Sequence, residues 1–269
     1  MVLNVSPFDL TDTFECGQCF RWNKNQDGSY NGVAFGKVLN IKKEDHGFVL
    51  SDESPVWEDY FDCLTDYNEI MRSLNVDSII KEAISSSCGI RILKQDFFET
   101  VISFIISQNN NIPRIKAIIE SLCRQFGENL GDGYFSFPDA KTLACLNPSD
   151  LGFLKAGYRD SYIIDASQKI YLNQLDIDVI KNAPIDQARA EISKIKGVGP
   201  KVADCILLFG ATRTEVFPTD VWMKKVLTAL YGFKTLTPNE INRFVQEKFG
   251  NLAGYAQQYL FNYARINKI

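Results

Sequence analysis

A single histidine, His46, serves the whole 269-residue chain, and it stands among charged neighbours. Histidine-based triads and His-rich metal sites are therefore excluded by inventory. Disulfide chemistry is poorly provided for, since seven cysteines is an odd count for a framework. Cys16 and Cys19 form the one close pair, and no second pair follows to complete a zinc site. A reduced, intracellular and cytoplasmic protein is the expectation. Long apolar runs are missing too. The best candidates, 101–106 and 205–209, fall far short of a membrane span. Met1-Val2-Leu3-Asn4-Val5 has no basic region ahead of an apolar one, which argues against a secretion signal. Neither internal repeats nor low-complexity segments are present.

Positive charge is scarce as well: 33 acidic residues face 29 Lys and Arg, a net charge of −4. The distribution matters more than the total. Residues 1–80 hold 14 acids and 6 bases, whereas the remainder holds 19 acids and 23 bases. A local basic surface can hold phosphates whatever the sign of the whole chain. Binding of that kind is expected to have a small footprint and to weaken with salt. A hydrophobic content of 45% supports a real core, and the length suits two or three packed subdomains.

Short β-rich stretches fill the first 80 residues: Phe20–Trp22, Tyr30–Phe35, Val38–Ile41 and Gly47–Leu50, separated by turn signals at 25–28 and 45–47. Helices are predicted at Trp57–Tyr60 and Asp66–Leu74. From Asp77 the apolar period becomes helical, with helices predicted over Asp77–Ser86, Asp96–Ser107, Ile112–Phe126, Arg159–Asn173 and Ile185–Ile195. Further ones follow over Pro200–Phe209, Asp220–Tyr231, Pro238–Phe249 and Gly254–Asn267, with loop-rich joints at 127–138 and 147–156. The class is α+β: an antiparallel β-sheet domain over 1–80, then a predominantly α-helical region over 81–269.

The stretch Ile195–Asp220 organises the rest. Gly197 and Gly199 break a helix and permit backbone conformations that other residues resist. Pro200 then suits the first turn of a new helix, whose apolar positions include Val202, Cys205, Ile206, Leu208 and Phe209. The product is a helix-hairpin-helix over 185–209, with free N–H groups placed as a phosphate site. Lys201 opens the second helix, where the helix dipole favours loss of its proton and so a nucleophilic amine. Phe217-Pro218-Thr219-Asp220 precedes the next helix. Alone, Lys201 reads as a phosphate contact and Asp220 as an N-cap. Together, in this order and spacing, they point to chemistry.

Gly197-Val198-Gly199-Pro200-Lys201 followed by Phe217-Pro218-Thr219-Asp220 resembles the helix-hairpin-helix (HhH-GPD) DNA glycosylases. Lys201-Val202-Ala203-Asp204-Cys205 resembles their 8-oxoguanine glycosylase/AP lyase branch. The resemblance runs from Gly17 to Phe261 and implies a predominantly α-helical, two-subdomain glycosylase fold. It implies Lys201 as nucleophile and Asp220 as its catalytic partner. For base recognition it implies Gly17, whose carbonyl would accept the N7–H that oxidised guanine has and guanine lacks, with Cys205, Gln257 and Phe261. For DNA binding it implies Gly197 and Gly199 in the hairpin, Asn109 filling the vacated stack, Tyr158 as a wedge, and Arg114 and Arg159 reading the opposite cytosine. The partner would be double-stranded DNA containing 8-oxoguanine, bound by a monomer without metal or organic cofactor. The C-terminal cysteine cluster of endonuclease III-like relatives is absent. Two positions depart from the family pattern: Trp222 stands where a histidine is common, and Phe217-Pro218-Thr219 replaces a Val-Pro-Val-like run. Blander readings remain for single patches. Gly17 also suits a β-turn, and Gln257 with Phe261 an ordinary amphipathic helix. The rival functions are a non-catalytic helix-hairpin-helix DNA-binding protein and a same-fold glycosylase for another base.

Overall fold

The computed structural model describes residues 1–233 and 237–269 and has the α+β organisation expected. Strands β1 (Val2–Leu3), β2 (Trp22–Lys24), β3 (Tyr30–Ala34), β4 (Lys37–Glu44) and β5 (Gly47–Leu50) form one antiparallel sheet in the order β1-β5-β4-β3-β2. The β3–β4 turn is Phe35-Gly36, both at positive φ, the twist that a two-residue hairpin loop requires. A Cβ on Gly32 would sit 2.3 Å from the Trp22 indole, so the missing side chain is what lets that ring lie across β3. Trp22 stacks on Phe14 at 4.2 Å and donates its indole N–H to the Tyr60 hydroxyl. The short helices α1 (Leu10–Phe14) and α2 (Val56–Tyr60) close this aromatic core.

The first expected strand shifts. Phe20 and Arg21 lie outside β2, because Gly17 is at φ +85° and Gln18 replaces the ladder with side-chain bonds. The Gln18 amide donates to the Thr13 and Arg91 carbonyls and accepts the Leu93 N–H, while its own carbonyl accepts from Gln95. The segment carrying Gly17 is thereby fixed to the chain that enters the helices. Arg91 reinforces the joint. Fully buried, it donates to the carbonyls of Pro7, Phe61, Asp62 and Thr65 and lies over the Tyr67 ring.

Helices α3 (Tyr67–Ser73) and α4 (Ser78–Ser86) lead into α5 (Phe97–Ser107), whose residues 100–106 are all buried, the pattern of a helix surrounded by others. Around it stand α6 (Ile112–Phe126), α7 (Ala140–Ala144), α8 (Arg159–Tyr171), α9 (Ile177–Asn182) and α10 (Ile185–Ile192). The remainder are α11 (Pro200–Gly210), α12 (Val221–Tyr231), α13 (Pro238–Phe249) and α14 (Ala253–Asn267). Most boundaries match expectation, with Asp77, Asp96, Asn111 and Asp220 capping the helices that follow them. The expected loop at 127–138 contains a small hairpin, β6 (Asn129–Gly131) with β7 (Tyr134–Phe135), and 148–154 is a 3₁₀ turn. Helix α10 stops three residues early. Its continuation, 194–198, runs through tighter bonds between residues three apart, ending with the Val198 N–H on the Ile195 carbonyl.

Candidate active site

The hairpin between α10 and α11 is built around Gly197. Its φ is +78°, and an added Cβ would lie 2.1 Å from the Tyr162 ring on α8. Gly199, by contrast, has an ordinary backbone and open space beside it. An ion pair locks the two helices: Arg189 on α10 donates from Nε to Asp204 on α11 at 2.7 Å. On the α8 side, the Lys196 N–H donates to the Asp165 carboxylate at 2.7 Å, drawing the turn against that helix. The exposed Gly197 and half-exposed Gly199 leave the turn facing solvent ahead of the α11 N-terminus.

Lys201, in the first turn of α11, points into a cavity of about 180 Å³. A cavity of ~150 Å³ accepts a benzene ring, so this one takes a flat heterocycle in size. Asp220, Cys205, Phe104 and Ser107 line it beside Lys201. Gly17, Gln257, Gln258 and Phe261 are further lining residues. The Lys201 Nζ lies 5.7 Å from the Phe104 ring centroid. The Asp220 Oδ1 accepts the Met223 N–H at 2.7 Å as the N-cap of α12. Its capping role and its place beside Lys201 therefore coexist. Gly17 and Phe261 are close enough that a Cβ on Gly17 would touch the ring at 4.0 Å. Trp222 also packs against that ring, edge to face at 4.6 Å. Gln257 accepts a 2.6 Å bond from Gln258, which orients its amide within the wall.

The charge state of Lys201 differs from the expectation of an easily deprotonated amine. Its pKa is raised, chiefly by the negative charge Cys205 would carry as a thiolate and further by Asp220, and burial opposes them only in part. Burial lifts the Cys205 thiol as well. Cys205 lies one turn along the same helix, whereas Asp220 is a partner that only folding brings near. At neutral pH the pair is thus ammonium and thiol, and Lys201 has to hand over a proton before it can attack.

The predicted DNA contacts divide. Asn109 is exposed at the end of α5 with φ +46°, and it borders a second hollow shared with Lys201, Asp220, Trp222 and Lys225. Arg114 is exposed and gives one bond, to the Lys155 carbonyl at 2.9 Å. Tyr158 is half exposed, close to the Tyr162 ring. Arg159 is the exception. Its residue is 6% exposed and its guanidinium is engaged by the carbonyls of Gln108, Asn109 and Ala156, so it is no free reader of a base in this state. Ser107 and Gln258 were missed in the sequence. Both are ordinary helix residues whose only signal is position within one turn of a predicted site residue. Among the described residues, no group of His, Cys, Asp and Glu is arranged to hold a metal ion.

A lysine from the helix-hairpin-helix and the aspartate capping the next helix, meeting in one base-sized cavity, define a base-excision type of site. Comparison with known proteins agrees. Residues 102–251 match the HhH-GPD superfamily of base excision DNA repair proteins, and residues 1–101 match the 8-oxoguanine DNA glycosylase N-terminal domain. A solved Clostridium acetobutylicum 8-oxoguanine glycosylase/lyase, in complex with duplex DNA carrying cytosine opposite 8-oxoguanine, is 41% identical with TM-score 0.92. That match covers 97% of this chain and 93% of that one. The structure of MBOgg1 with a low-affinity DNA ligand is 42% identical with TM-score 0.94, covering 99% and 95%. A probable N-glycosylase/DNA lyase of Methanothermobacter thermautotrophicus is 34% identical, over 70% of this chain and 68% of its own. The chain belongs to the HhH-GPD superfamily, in its 8-oxoguanine DNA glycosylase/AP lyase branch.

Proposed function

We propose that this protein excises 8-oxoguanine from duplex DNA and cleaves the resulting abasic site, with Lys201 as nucleophile and Asp220 as its partner. One observation carries the residue assignment: Lys201 and Asp220 share a cavity with Gly17 and with the Gln257–Phe261 pair. Phosphates on the hairpin and basic side chains help offset the few kcal/mol needed to unstack a base. The extruded base stacks on Phe261 and is met along its edges by Gln257 and the Gly17 carbonyl, with Cys205 beneath it. The Lys201 nitrogen then bonds to C1′ as the C1′–N9 bond breaks, and the base leaves with the electron pair and takes up a proton. The sugar ring opens to a Schiff base, C2′ loses a proton, and the C3′–O bond breaks. Asp220 orients Lys201 and, as the carboxylate, stabilises positive charge on the sugar, while the proton that Lys201 gives up ends on the departing base. Asn109 and Tyr158 fill and wedge the vacated stack, and Arg114 reads the opposite cytosine.

The protein acts as a monomer inside the cell. Support for the intracellular reading comes from seven cysteines that are all unpaired; no helix among the described residues is long and apolar enough to cross a membrane. Borohydride trapping on an 8-oxoguanine duplex tests the assignment. Wild type should yield a covalent adduct, and Lys201→Gln should bind the damaged duplex yet give neither adduct nor free base. An adduct formed by Lys201→Gln would overturn it. Binding without any excision by wild type would favour the non-catalytic rival.

A further inference from the structure

Gln257, Phe261 and Arg265 stand four residues apart on α14 and so share one face of that helix. The first two line the cavity. The third, in the last turn, donates from Nη1 to the Glu15 carbonyl, 250 residues away in the chain. Glu15 is the C-cap of α1, where carbonyls have no partner within the helix, and Gly17 follows almost at once. Arg265 thus grips the segment that carries Gly17 at an oxygen the helix leaves open.

Asp12, on the same short helix, belongs to this contact too. Burial and the neighbouring Asp9 raise its carboxyl to about 6, while a hydrogen bond with Asn262 and the charge of Arg265 pull it back. Asn262 in turn donates to the Ser87 hydroxyl at 2.8 Å, which fixes this part of α14 against the end of α4. The Glu15 carboxylate accepts from the Tyr30 hydroxyl at 2.7 Å. Its side chain is therefore held by the sheet and its carbonyl by α14. Just beyond, Gly17 turns at φ +85°, and a Cβ placed there would be 4.0 Å from the Phe261 ring. Glycine has the freest backbone of any residue, so the direction of its carbonyl depends on the groups that anchor its neighbours.

We propose that Arg265 is a positioning residue for base recognition: by tying α1 to the helix that carries Gln257 and Phe261, it sets the Gly17 carbonyl in reach of the N7–H of an oxidised guanine. This rests on the proposed glycosylase reading and deepens it. Gln18 anchors the same turn to the chain that enters the helices, and Arg265 is its tie to α14. The other role open to an exposed arginine in a DNA-binding protein is to hold a phosphate, and it leaves a different trace. A phosphate contact strengthens damaged and undamaged duplex alike and steepens the salt dependence. A group that sets the Gly17 carbonyl helps the lesion alone.

The test is affinity for 8-oxoguanine and guanine duplexes of one sequence, measured in the Lys201→Gln background so that no turnover intervenes. Arg265→Met should lower the preference for 8-oxoguanine on the order of 3–10-fold, the usual net effect of losing one hydrogen bond. Affinity for the undamaged duplex and the salt slope should stay as they were. Arg265→Lys, which still carries a donor, should restore part of the preference. Arg265 is exposed, so neither replacement opens a cavity in the core. Gly17→Ala is strained at its φ and displaces the carbonyl directly, and adding Arg265→Met to it should cost no further preference. Equal weakening of both duplexes, a preference kept intact by Arg265→Met, or full additivity with Gly17→Ala would overturn the proposal. Inactivity of wild type on every 8-oxoguanine duplex would instead overturn the glycosylase reading beneath it.

Discussion

Phe261 is half buried, in contact with the Trp222 ring and close to Gly17, and it lines the cavity. A ring braced this way loses little freedom when a base stacks on it, so most of the stacking energy is available for recognition. Phe261→Ala should weaken binding of damaged duplex by about 1–3 kcal/mol, the usual value of one base–aromatic stack. Titration against an 8-oxoguanine duplex and its undamaged counterpart would measure it, and equal affinities for variant and wild type would remove Phe261 from the pocket. The glycines at 197 and 199 look equivalent as letters but are not. Gly197→Ala meets the Tyr162 ring and a positive φ, so it should cost about 1–3 kcal/mol of stability and weaken duplex binding. Gly199→Ala, at an ordinary backbone with open space, should stay within about 0.5 kcal/mol of wild type. Denaturant unfolding of the pair would decide it.

Among the elements, α5 packs against α6, α8 and α11 and meets the segment ahead of the sheet through Glu99. The Glu99 carboxylate lies 3.7 Å from Arg21, just ahead of β2, and burial, only partly offset by that cation, raises its pKa to about 7. The folded protein therefore holds a proton there more tightly than the unfolded chain. Between about pH 4.5 and 7 this contribution makes stability fall as pH rises, the reverse of the usual paired carboxylate. Glu99→Gln should flatten that slope, as measured by unfolding midpoints across the window. Elements were legible where periodicity had room to repeat. Ile112–Phe126 and Pro238–Phe249 stand where the apolar spacing put them. Val2–Leu3 is too short to show alternation, and Ile177–Asn182 is less than two turns. Within the site, Lys201 and Asp220 were legible because glycine, proline and an N-cap mark them locally. The burial of Arg159 was not, because its partners are carbonyls, which no side-chain pattern announces.

At the scale of the whole molecule, the cavity is assembled from distant parts of the chain. Gly17 comes from the irregular segment before β2, Lys201 from α11 and Phe261 from α14. Among the described residues, no strand ladder or helix joins the first of these to the other two. The Gln18 amide and the buried Arg91 guanidinium make that connection, through carbonyls and N–H groups of the linking chain. Lysine chemistry on an abasic aldehyde needs only Lys201 and its immediate neighbours, whereas telling oxidised from ordinary guanine also needs Gly17 in register. Fidelity should therefore melt before reactivity. As temperature or urea rises, the ratio of 8-oxoguanine to guanine excision should fall while trapping on abasic DNA continues, and the two losing ground together would show that the sheet and the helices unfold as one.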